Sequence, residues 1–119
     1  MSKAYMERGC VRLCVVNGTG GVRMVEVPAY ISASGNLALH RPVAETGGVC
    51  GNRPYCVVSL VATGLRLAER GTRKAARELI VALDASPEWG ELTGNAKHDN
   101  PLLARLWSRH GQDIAGVPA

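Results

Sequence analysis

Four cysteines and three histidines are the residues of this chain best suited to metal or covalent chemistry, and their spacing limits what they can do. The pairs Cys10-x3-Cys14 and Cys50-x5-Cys56 lack the short two-residue knuckle of a structural zinc site. If Cys10 and Cys14 share a strand they stand about 13 Å apart at ~3.3 Å per residue, beyond the reach of one tetrahedral ion. The cysteines therefore read as free thiols, in the core or partly exposed, with no metal and no cofactor expected. Cys50 lies in the glycine-rich run Gly47-Gly48-Val49-Cys50-Gly51, with His40 ten residues earlier, so a thiol nucleophile with an imidazole base is conceivable. That chemistry also requires a lowered thiol pKa, a base in hydrogen-bond reach and an oxyanion donor, none of which the sequence displays.

The glycines of Asn17 to Gly21 and of Gly47 to Gly51 match neither the phosphate-binding pattern G-x-x-x-x-G-K-[ST] nor the strand, G-x-G-x-x-G and helix order of a dinucleotide fold. They read as turns. His98 and His110 flank the last helical segment and are expected to face solvent. Trp89 reads as a core lid. Trp107 reads as a core lid as well, although beside Arg105 and Arg109 it would suit an interface anchor if exposed.

A basic cluster is the more telling feature: Arg66, Arg70, Arg73, Lys74 and Arg77 would be gathered by the end of a hairpin and the outer face of the helix after it. Such a cluster can be a merely solvated helix face, a nucleic-acid contact or a docking surface for an acidic protein. The chain shows no helix-turn-helix pattern, aromatic stacking platform or zinc finger that would favour nucleic acid.

The elements that must carry these residues follow from apolar periodicity. Cys10 to Val16 and Val22 to Val27 flank the turn residues Asn17 to Gly21 and predict a β-hairpin, with Pro28 ending it or marking an edge. Leu37 to His40 predicts a short strand, followed by a long loop from Arg41 to Pro54. Tyr55 to Val61 is almost continuously apolar, as in a central strand buried on both faces, and Thr63-Gly64 turns it into Leu65 to Leu67. Thr72 caps a helix whose apolar stripe is Ala75, Ala76, Leu79, Ile80 and Leu83, set opposite Arg73, Lys74, Arg77 and Asp84. A short helical turn is expected over Pro87 to Leu92. A last helix is expected to open at Asp99 or Asn100, with Pro101 first, and to stop at Gly111. The fold class is α+β: an antiparallel sheet of four to five strands, in two hairpins, against one main helix plus a C-terminal helix.

With 119 residues and 46% hydrophobic content the chain suits one domain over 1–119, with 1–8 and 112–119 frayed. There is no Phe and the only aromatics are Tyr5, Tyr30, Tyr55, Trp89 and Trp107, so the core is aliphatic. No run approaches the ~18 apolar residues of a membrane span and no export signal opens the chain, which predicts a cytoplasmic protein with reduced thiols. The net charge of +4, carried mostly by arginine, permits contact with phosphates or with an acidic surface.

Leu37-Ala38-Leu39-His40-Arg41, then Tyr55 to Leu67 with its Thr63-Gly64 turn, then Thr72-Arg73-Lys74-Ala75-Ala76, resembles a pattern in small accessory proteins of bacterial phages and integrative elements. There, a strand ending in a Thr-Gly or Ser-Gly turn precedes a short strand and a helix opening Thr-[Arg/Lys]-x-x-Ala. The resemblance covers about half the chain and marks a structural junction, so it assigns no functional residue. It implies a non-enzymatic accessory protein of a mobile element that inhibits or modulates a host defence complex by protein–protein contact, as anti-CRISPR proteins do. The positive charge departs from the acidic, nucleic-acid-mimicking members of that class. The expected partner is a host protein or ribonucleoprotein complex, met through Arg66, Arg70, Arg73, Lys74, Arg77 and Trp107. The alternatives are a small basic nucleic-acid-binding regulator and a thiol enzyme using Cys50 and His40.

Overall fold

The computed structural model describes residues 6–16, 18–44 and 48–115. Five strands, β1 (Glu7–Val16), β2 (Val22–Ile31), β3 (Leu37–His40), β4 (Val57–Leu60) and β5 (Arg66–Glu69), precede α1 (Arg73–Leu83), a 3-10 turn (Pro87–Glu91) and α2 (Ala96–Ala115). The sheet is antiparallel throughout and its strand order follows the chain, β1-β2-β3-β4-β5. This is the α+β architecture expected from the sequence.

Alternation along β3 and β4 divides the core in two. Leu37, Leu39, Val58 and Leu60 face one way, where Leu79, Ile80, Leu83, Trp89, Leu102 and Leu106 of the helical layer cover them. Ala38 faces the other way and joins Val11, Leu13, Val27 and Ala29 of the first hairpin. That hairpin is much longer than its neighbour: β2 has ten residues but pairs with β3 only at Tyr30 and Ile31. The remainder is free to curl across the face of the sheet opposite the helices. The Cys14 amide closes the curl by donating to the Gly64 carbonyl at 2.9 Å, and Gly64, at φ 73°, sits so tightly against β1 that a Cβ there would overlap the Arg12 carbonyl.

Several boundaries differ from expectation, each for a physical reason. Pro28 does not end β2, which runs on to Ile31, but marks an edge as the alternative expected: the ladder to β3 begins only at Tyr30, so its missing N–H costs nothing on that side. Glu7 and Arg8 are in β1 rather than frayed. The helix α2 begins before Pro101, because Asn95 caps it: its Oδ1 accepts from the Lys97 and His98 amides at 3.0 and 3.3 Å. Asp99 reaches back to the Thr93 and Gly94 amides rather than forming the cap itself. Gly111 does not stop α2, which continues to Ala115 because Ile114 is buried in the core. Residues 116–119 and 1–5 lie outside the described part. No described helix is long and apolar enough to cross a membrane.

Candidate functional site

The structure separates the five basic residues that the sequence grouped. Arg66 projects on β5 toward Glu69, at 3.4 Å. Arg70 is consumed structurally: its guanidinium donates to the Asp113 and Ile114 carbonyls and so caps the C-terminus of α2. Lys74 and Arg77 stand exposed on α1, with no ion pair among the described residues. Arg73, the first residue of α1, lies over a tyrosine pair instead of pointing freely outward.

That pair is the centre of a site the sequence did not reveal. Tyr30 of β2 and Tyr55, just before β4, meet edge to face with ring centroids 5.0 Å apart. Three guanidiniums converge on them. Arg73 is 4.7 Å from the Tyr30 centroid and 5.8 Å from that of Tyr55, Arg41 is 4.6 Å from Tyr55, and Arg8 is 5.9 Å from Tyr30. Stacking on an aromatic face holds a guanidinium while leaving edge N–H donors available, although the Nε of Arg41 already donates to the Arg53 carbonyl at 3.1 Å.

Among the described residues no carboxylate pairs with Arg8, Arg41 or Arg73. Like charges this close repel, and the α1 N-terminus adds its own partial positive charge, with Arg73 and Lys74 in a first turn that holds no acidic residue. The face is therefore a convergence of positive charge, with aromatic rings between, that no described carboxylate pairs with. The only signal in the sequence was the tyrosines themselves, since their meeting depends on the β2–β3 register.

Trp107 is not the core lid expected of it: it is 49% exposed, as the alternative of an interface anchor requires. It lines a shallow groove with Leu60, Leu65, Leu67, Leu103 and Ala104. Its expected partner Arg109 is turned away, forming a two-pronged pair with Glu88 at 3.2 and 3.0 Å that depresses the carboxyl of Glu88 and raises the guanidinium of Arg109. Trp89 is the buried lid, its indole donating to the Leu83 carbonyl at 2.9 Å.

The histidines correct the sequence reading most. His98 is exposed, beside Asp99, but His110 is buried and bonds Ser86 at 2.7 Å. His40 is buried as well. Its Nδ1 lies 2.7 Å from the Arg41 carbonyl, which can only accept, so that nitrogen carries the proton and Nε2 accepts from the Ser59 hydroxyl at 2.8 Å. Desolvation holds the His40 pKa below its ordinary 6.5, with the Arg41 carbonyl opposing and Arg66 reinforcing the shift. Among the described residues no hydrogen bond joins His40 to the Cys50 thiol, and the Cys50 amide donates to the Pro42 carbonyl.

All four cysteines are free, and burial pushes the Cys56 thiol above its ordinary range, with Glu69 adding to the shift. Among the described residues no His, Cys, Asp and Glu group could hold a metal, and no buried side-chain nitrogen or oxygen lacks a partner. Neither family models, nor curated proteins, nor solved structures match this chain, so the reading of its function rests on the geometry above.

Proposed function

We propose that this protein is a non-enzymatic nucleic-acid-binding accessory protein, of the kind carried by bacterial mobile elements and acting in the host cytoplasm. Its working surface is the face built on Tyr30 and Tyr55. The observation that carries the reading is the convergence of Arg8, Arg41 and Arg73 on one tyrosine pair, with no carboxylate paired to them among the described residues. Phosphates would relieve the repulsion and engage the guanidinium edges, the rings serving to hold the guanidiniums in place. Lys74 and Arg77 extend the positive surface along α1.

The test is fluorescence anisotropy with labelled single-stranded and duplex oligonucleotides across a salt series. Binding should weaken steeply with salt, and replacing all three arginines with Glu should abolish it in a folded protein. Absence of binding at low salt, or an unchanged salt slope in the triple variant, would overturn the proposal.

A second reading, a modulator that grips a host protein or ribonucleoprotein complex in the manner of anti-CRISPR proteins, is favoured by the exposed Trp107 and Leu65 beside Leu103. It predicts the converse pattern: Trp107→Ala releases the captured complex, whereas the triple arginine variant retains it.

A further inference from the structure

The curl of the first hairpin leaves a half-open cavity of about 440 Å³ between β1 and the face of β3–β5 away from the helices. Leu13, Val15, Val16, Val43 and Val57 supply an aliphatic part of its wall, beside a substantial polar part. The polar groups gather at two places, Ser59 with His40 on the floor and Arg66 with Glu69 on β5. A volume in the roughly 300–1,000 Å³ range with apolar walls and a few convergent polar groups is the usual form of a small-molecule site.

Charge counting at that polar end selects the ligand. Glu69 is shared between two guanidiniums, Oε2 with Arg53 at 3.1 Å and Oε1 with Arg66 at 3.4 Å, so the group carries one surplus positive charge. His40 adds none, since its Nδ1 proton and Nε2 lone pair are already committed in the neutral form. The Ser59 hydroxyl gives its proton to His40 and presents only lone pairs to the cavity.

We infer that this cavity binds a small, largely aliphatic monoanion, its carbon body against Val15, Val43 and Val57 and its anionic group on Arg66. The site is separate from the arginine–tyrosine face and stands or falls independently of it.

Octanoate and octanol, an anion and a neutral molecule of equal chain length, are suitable probes, followed by amide chemical shifts in two-dimensional NMR and by calorimetry. Octanoate should bind at one site, shift the amides of Val15, Val57, Ser59 and Arg66, and bind about tenfold or more tighter than octanol. Arg66→Gln should remove that preference without weakening octanol. Val15→Trp or Val43→Trp, changes at half-buried wall positions, should exclude both probes from a protein with a native-like spectrum. No shift at the cavity amides, shifts confined to the surroundings of Arg8, Arg41 and Arg73, or equal affinity for the two probes would overturn the inference.

Discussion

His40 illustrates how one side chain can be committed to structure while sitting where chemistry would be expected. The ring is held between an acceptor and a donor, and burial disfavours its charged form, so its pKa in the fold lies below the unfolded value of 6.5. The unfolded chain therefore takes up a proton that the folded one refuses as pH falls through 6.5. The contribution of His40 to stability is intact above that pH and is lost progressively below it, until the folded ring itself titrates. One proton limits the slope to about 1.4 kcal/mol per pH unit. Urea midpoints at about pH 7.5 and 5.5 should show this loss. His40→Gln should flatten the dependence, and an equally steep slope in that variant would assign it to other groups. Asp99 acts in the same direction in a more acidic range, its carboxyl held at about 2 by the neighbouring His98 and by the Thr93 and Gly94 amides. Its contribution, present above the ordinary 3.8, disappears only as pH falls from there toward about 2.

At the scale of elements, the basic cluster divides into residues that hold the fold and residues that face outward. Arg70 joins the end of β5 to the last turn of α2 through the carbonyls of Asp113 and Ile114, and donates to its neighbour Glu69. Charge-assisted bonds of this kind contribute roughly 1.5–3 kcal/mol. Arg70→Ala should therefore lower stability by about 2 kcal/mol, seen as a lower urea midpoint, and leave oligonucleotide affinity nearly unchanged. A large affinity loss with unaltered stability would place Arg70 on the binding face instead. The sequence could give α1 closely, because the Thr72 cap and the stripe ending at Leu83 agree with each other. It misplaced both ends of α2, because Pro101 and Gly111 are strong local signals that tertiary contacts override. Asn95 supplies a better cap than Asp99 once the chain turns at Gly94, and the burial of Ile114 with the Arg70 cap offsets the cost of a helical glycine. The tyrosine pair had no comparable local signal, since Tyr30 and Tyr55 lie on separate elements and meet only through β3.

At the scale of the whole molecule, the continuous apolar run of β4 already required cover on both of its faces, and the helices can supply only one. The second cover is the first hairpin, and nothing local to it announces that it curls. The deciding contact joins distant segments: the turn between β4 and β5 presents the Gly64 carbonyl to the Cys14 amide. Glycine is needed there twice over, for a φ of 73° and for the approach of the Arg12 carbonyl. Gly64→Val meets both obstacles, and positive-φ strain alone costs on the order of 1–3 kcal/mol. Because β3, β4 and β5 pack against the helices through a separate cluster, the loss should be local. Hydrogen exchange should then show faster exchange across β1 and β2, with Leu39, Val58 and the amides of α1 retaining their protection, and the octanoate site should vanish with the hairpin's closure. Uniform loss of protection over both clusters would mean instead that the curl and the helix-covered core form one cooperative unit, and that the cavity wall cannot open without unfolding the domain.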